Sequence, residues 1–269
     1  RASKIYHDAG IVQISPSATD PKYTRQGFDT AFRVVAHQGQ LGGALGRYAV
    51  RDLKARRIAI IDDRSPYGQG IADEFQKAVT AAGGQLVGRR FLIDKETDVL
   101  ALVTELKGAR PDLVFFGGID AAAGPMLRQM KQLGIDARFM GGDGICSNEL
   151  VKLAGGAMAD DQVICAETGG VTKDREGAMD DFRMRFRQRT GQDVKMYAPY
   201  VYDATMVMAA AMQRAGSADP RKYLPELRKI SYDGVTGRIR FDDRGDIRSG
   251  PLTLYTYRGG QRERMDVVK

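Results

Sequence analysis

Tryptophan is absent from the 269 residues, and cysteine and histidine occur only twice each. A structural zinc site takes about four ligands at close spacing, and neither Cys146 nor Cys165 has a second Cys or His nearby, so no metal site is expected. A histidine-based hydrolytic triad would have to use His7 or His37. Neither lies in a nucleophile motif, and both read as ordinary surface or loop residues. The longest apolar runs, such as Leu113–Phe116, are strand-sized, far short of the roughly 20 residues a membrane helix needs. The dinucleotide fingerprint is missing too: Tyr67-Gly68-Gln69-Gly70-Ile71-Ala72-Asp73 has GxG without the third glycine, and no GxxxxGK[ST] loop occurs, so no cofactor is expected.

Lys and Arg number 41 against 34 Asp and Glu, a formal charge of +7. The excess is not clustered. Its densest stretch, Arg183, Arg185, Arg187 and Arg189, would be spread around a helix, because alternate residues sit about 200° apart. Without a patch or a reading motif, nucleic acid is not an expected partner. The chain opens Arg1-Ala2-Ser3-Lys4-Ile5-Tyr6, with no Met, signal core or helix cap before a helical-looking stretch. On that ground the sequence is expected to be a fragment of a longer protein.

Hydrophobic residues make up 43% of the chain, enough for a sizeable core. Strand patterns at Ile11–Ile14, Arg57–Asp62, Gln85–Phe91, Leu113–Phe116 and Arg138–Met140 alternate with helical patterns over Gly39–Asp52, Ile71–Ala82, Thr97–Ala109 and Gly124–Leu133. Such alternation, with continuously apolar strands, predicts a parallel sheet covered by helices, an α/β fold. Helices are then expected over Asp174–Arg189, Pro199–Ala215 and Asp219–Lys229. Strands Ile239–Phe241 and Leu252–Tyr257 are expected to flank the turn Asp242-Asp243-Arg244-Gly245-Asp246, whose spacing does not fit an EF-hand and reads as a solvated hairpin-type loop.

In a doubly wound sheet, ligands bind beyond the carboxyl ends of the strands. Four such loops concentrate glycine and polar groups: Ser15-Pro16-Ser17-Ala18-Thr19, Asp62–Gly70, Phe116-Gly117-Gly118-Ile119-Asp120 and Gly141-Gly142-Asp143-Gly144. Taken singly, each is also what an ordinary βα turn uses.

Together and in order, these loops resemble the type I periplasmic binding proteins, in particular the leucine/isoleucine/valine-binding branch that serves ABC importers. Tyr197-Ala198-Pro199-Tyr200-Val201-Tyr202-Asp203-Ala204 and Gly234-Val235-Thr236-Gly237 with Phe241-Asp242-Asp243-Arg244-Gly245-Asp246 extend the resemblance over essentially the whole chain. It implies two α/β lobes with an amino acid clamped in the cleft. Lobe one would be 1–53 with 203–230 and lobe two 54–202, with 231–269 as hinge return and C-terminal strands.

Carried over by position, Ser17, Ala18 and Thr19 would bind the ligand's α-carboxylate and α-ammonium, Tyr67 would face the cleft, and Asp143, next to Gly144, would pair with the α-ammonium. A zwitterion needs donors at one end and a carboxylate at the other. Ile119, followed by Asp120, stands where some relatives carry an aromatic. The resemblance implies a periplasmic protein with a signal peptide in its precursor, delivering a small amino acid to an ABC importer membrane permease.

The family's opening elements, another serine-containing loop among them, would lie before Arg1. An incomplete lobe one would then favour self-association. An oxidising periplasm permits a disulfide between Cys146 and Cys165, worth about 3 kcal/mol in the chain-entropy model, although two buried thiols remain open. A ligand-sensing regulatory domain of the same fold, for an amide or amino acid, is the alternative function. An enzyme on a Rossmann-like sheet would be a third, without a nucleophile–base pair to support it.

Overall fold

The computed structural model describes residues 2–92, 99–195 and 197–268. The chain folds into two units: Arg1–His37, Thr168–Leu252 and Val267–Lys269 form the first, Gln38–Glu167 and Thr253–Asp266 the second. These boundaries differ from the expected ones. Residues 38–53 pack with the second unit rather than with lobe one, and residues 168–202 belong to the first.

The first unit opens with α1 (Ala2–Asp8), then β1 (Gln13–Ser15), a 3-10 turn at Pro21–Thr24, and β2 (Ala31–Arg33). β1 and β2 pair in parallel, Ile14 opposite Phe32.

The second unit follows with α2 (Gln38–Arg51), β3 (Arg57–Asp62), α3 (Pro66–Ala81), β4 (Gln85–Phe91), α4 (Leu100–Ala109) and β5 (Leu113–Gly117). It continues through α5 (Asp120–Gln132), β6 (Arg138–Gly141), a 3-10 turn at Asp143–Ile145, α6 (Glu149–Ala154) and β7 (Val163–Thr168). β4, β3, β5, β6 and β7 are parallel neighbours. All five residues of β5 are buried, as strands covered on both faces require. Phe75 of α3 stacks on Phe115 with ring centroids 3.8 Å apart, joining helix layer to sheet. α3 starts earlier than its expected onset at Ile71, because Ser65 Oγ accepts from Gly68 N–H at 2.9 Å and Pro66 fits the first turn. That places Tyr67 on the helix. Of the expected helix Thr97–Ala109, Thr97 and Asp98 lie outside the described residues.

The chain then returns to the first unit: a 3-10 turn at Lys173–Arg175, α7 (Glu176–Thr190), α8 (Ala198–Ala215), α9 (Pro220–Arg228), β8 (Tyr232–Asp233) and β9 (Arg238–Ile239). Tyr200, Ala204, Val207 and Ala211 recur along one face of α8 and are buried against Phe32, Val34, Leu227 and Ile239. At the base of α8, buried Asp203 accepts from Val235 N–H (2.9 Å), Thr236 N–H (2.8 Å) and Thr236 Oγ1 (2.6 Å), fixing the Gly234–Gly237 turn.

β10 (Leu252–Arg258) and β11 (Gln261–Val268) complete the second unit's sheet in the order β11-β10-β7-β6-β5-β3-β4. This corrects the expected hairpin around Asp242–Asp246. Ile239 pairs with β8, one bridge between Phe241 and Ile247 closes the turn, and Leu252–Arg258 goes elsewhere. The reason lies in burial: Tyr257 joins the second unit's core, which a two-strand hairpin could not supply.

Candidate functional site

Because β3, β5 and β6 run in one direction, the segments after Asp62, Gly117 and Gly141 emerge on the same edge of the sheet. The loops lie unusually close there. A Cβ on Gly68 would collide with the Gly117 carbonyl, and one on Gly144 with the Gly118 carbonyl, so only glycine lets these backbones meet. Tyr67, in the first turn of α3, donates its hydroxyl proton to Asp143 Oδ1 at 2.7 Å and accepts from Gly144 N–H at 3.0 Å. Burial, then the negative charge of Asp143, pushes the Tyr67 phenol well above its usual 10, so it stays a donor. Asp143 is exposed, and its Oδ2 carries no hydrogen bond or ion pair among the described residues. Ile119, 51% exposed at the start of α5, leaves an apolar side chain uncovered on this edge. The structure thus brings Tyr67, Asp143 and Gly144 into direct contact and sets Ile119 at the neighbouring strand end.

The turn carrying Asp143 is braced from below. Cys146, just after it, is disulfide-bonded to Cys165 of β7, with Cα atoms 5.3 Å apart. The Tyr257 hydroxyl lies 3.1 Å from the Ile145 carbonyl and 2.9 Å from that of Ser147, and burial lifts its pKa to about 12. Arg262 donates to the Cys146 carbonyl and pairs with Glu167 at 2.6 Å. Sequence reading missed Tyr257 and Arg262, because both reach this loop from strands more than a hundred residues along the chain.

In the first unit, Ser17, Ala18 and Thr19 follow β1. The Ser17 and Ala18 N–H groups turn inward and donate to Ser15 Oγ at 3.3 and 2.9 Å, so Ser15 shapes this loop. The Ser17 hydroxyl, the Thr19 hydroxyl and the Thr19 N–H have no partner among the described residues, which leaves three donors for an anionic group.

Behind the loop, Arg33 is 0% exposed. Its Nη1 donates to the carbonyls of Ala18 (2.7 Å) and Asp20 (2.9 Å), its Nη2 to Thr24 Oγ1 (2.8 Å), and its Nε pairs with Asp246 Oδ1 at 2.6 Å. Thr24 Oγ1 in turn donates to the same Asp246 oxygen at 2.7 Å. Two sequence expectations fall here. Asp246 is buried rather than part of a solvated loop, because it balances Arg33. His37 is buried rather than at the surface, 3.6 Å from Asp246 Oδ2; burial lowers its pKa below 6.5, against the opposing pull of Asp246. Arg33 could have been suspected from sequence as the one charged residue in the otherwise apolar run Ala31–Ala36.

Residues 1–261 match the family described as periplasmic binding protein. The chain belongs to that family. This periplasmic binding protein is 35% identical over 260 residues to Leu/Ile/Val-binding protein homolog 1 of Brucella abortus, covering 96% of this chain and 69% of the relative. Identity is 32% over 256 residues to the leucine-, isoleucine-, valine-, threonine- and alanine-binding protein of Pseudomonas aeruginosa, covering 95% of this chain and 68% of that one. A branched-chain amino acid transporter substrate binding protein from Streptococcus pneumoniae, solved with isoleucine, superposes with a TM-score of 0.70 at 26% identity, covering all of this chain and 75% of the other. The family and these relatives are binding proteins by name. Among the described residues no helix is long and apolar enough to cross a membrane.

Proposed function

We propose that this periplasmic binding protein takes up a branched-chain amino acid in the periplasm and hands it to the membrane permease of an ABC importer. One observation carries the reading. Asp143 is held by the Tyr67 hydroxyl through one oxygen and offers the other, while Ile119 stands uncovered after the neighbouring strand. An α-ammonium needs such a carboxylate, and an aliphatic side chain needs such an apolar neighbour. The free donors of Ser17 and Thr19 on the first unit suit the α-carboxylate of the same ligand class. Relatives named for leucine, isoleucine and valine support the choice of side chain.

Calorimetry with leucine, isoleucine and valine tests this. Saturable binding is expected, and Asp143→Asn should weaken it by about 1.5–3 kcal/mol, tenfold or more. An unchanged dissociation constant in Asp143→Asn would remove Asp143 from the site, and no heat with any of the three would end the reading. Delivery is read separately, as stimulation of the permease's ATP hydrolysis in proteoliposomes by the loaded protein.

A further inference from the structure

A trans peptide points its C=O and its N–H in opposite directions. The carbonyl of Ala18 and the N–H of Thr19 share one peptide, so whatever holds the carbonyl also aims the amide. Arg33 holds it, at 2.7 Å, from a fully buried position. The Thr19 N–H therefore points away from the guanidinium. Arg33 also takes the Asp20 carbonyl, so both flanks of Thr19 hang on one planar group. The peptide following Asp20 ends in Pro21, which has no N–H, so fixing that carbonyl aims no second donor.

From this geometry we infer that Arg33 is the positioning residue of the Ser17–Thr19 loop: it does not touch the ligand, but sets the direction of the Thr19 amide that receives the ligand's carboxylate. The inference rests on the proposed amino-acid binding and adds the residue that orders the first unit's donors for a carboxylate. The fork itself is anchored. Asp246 holds Nε, Thr24 bridges Nη2 to Asp246, and the Tyr23 ring lies 5.2 Å from the guanidinium carbon. Arg33 N–H donates to the Gly245 carbonyl at 2.9 Å, which ties the Asp246 turn to β2. Gly245, at φ +90°, is needed there because a Cβ would strike the Ala31 carbonyl.

Arg33→Lys separates aiming from charge balance. A lysine keeps the positive charge beside Asp246, but one ammonium cannot serve two carbonyls, a hydroxyl and a carboxylate in fork geometry. Two readouts are taken on the whole chain: leucine affinity by calorimetry, and the 15N order parameter of the Thr19 amide in the ligand-free protein. Leucine affinity is expected to fall at least tenfold. The order parameter should drop from the rigid value of about 0.85 to below about 0.6. A variant that keeps full affinity, or a Thr19 amide that stays rigid whatever the affinity, overturns the inference. If the unmodified protein binds no leucine, isoleucine or valine, the functional reading fails, and the order parameter still decides what Arg33 does to the loop. Should Arg33→Lys not fold, Thr24→Val removes one anchor of the fork at nearly constant volume. The same two readouts then apply, with a threefold loss of affinity and a measurable fall in order expected, and no change in either overturning the inference.

Discussion

Asp143 stands on the end of a strand whose neighbours are paired on both sides, with glycine backbones pressed together around it and a disulfide, a tyrosine and an arginine bracing the turn beneath. Thr19 stands after a three-residue strand paired to a single partner, and its loop hangs on one buried guanidinium. Both loops present polar groups in fixed directions, by different means. In the second unit, main-chain pairing across parallel strands supplies the order, and side chains add to it. In the first, the described strands beside the loop are too short for that, and a buried ion pair replaces them. Main-chain pairing is spread over many weak contacts and tolerates single changes. An ion pair with 0% and 1% exposure concentrates the same duty in two residues.

The sharpest way to break that contrast is Asp246→Ala. It leaves the Arg33 charge buried without its partner, and urea denaturation should show a loss of about 3–5 kcal/mol. A loss below about 1 kcal/mol would mean that the first unit does not depend on the pair. Removing the second unit's brace is expected to cost somewhat less. Cys146→Ser with Cys165→Ser opens a loop with a sequence separation of 19, for about 3 kcal/mol in the chain-entropy model, with leucine affinity reduced only modestly because the parallel strands still place Asp143. Loss of all binding in the double serine variant would show that the brace, and not the sheet, orders this loop.

The smallest effect is a pH dependence confined to the first unit. His37 faces Asp246, Arg33, Arg25 and Asp242, and burial holds its pKa below the usual 6.5. The unfolded chain then binds the proton more readily, so the stabilisation from neutral His37 is complete above pH 6.5 and is lost as pH falls toward the folded pKa. Between pH 7 and pH 6 the loss should be at most about 0.7 kcal/mol. His37→Gln should flatten that slope in melting curves, and an unaltered slope would assign it to other groups.

Much of the second unit was legible because local pattern and tertiary role agree there. Arg57–Asp62 and Gln85–Phe91 stand as strands with the expected bounds; for Arg57–Asp62 the reason is that a short apolar run closed by turn residues has few other uses in an α/β sequence. β11 carried no such signal: Gln261–Val268 alternates charges on the exposed edge of the sheet and buries almost nothing. β2 is three residues long, too short for any periodicity. The start of α3 was written in Ser65-Pro66 but hidden by the glycines that follow. In the candidate site, the loops themselves could be read from glycine and hydroxyl content at strand ends. Their supports could not. Asp246 finds Arg33, and Arg262 finds Cys146, across sequence distances that no window of local pattern spans.

The strand order also sets a timetable. Whether it leaves a ribosome or a membrane channel, the chain arrives in sequence order, so β3 to β7 can assemble as soon as Gln38–Glu167 has emerged, while β10 and β11 arrive only after all of Thr168–Leu252 has passed. Until then the β7 edge, with buried Val163 and Ile164, has one side unpaired. An open apolar edge of that kind is the ordinary seed of strand-to-strand aggregation in a growing chain. For this protein the hazardous interval lasts as long as delivery of the returning part of the first unit takes, and slowing delivery of Thr168–Leu252 lengthens it.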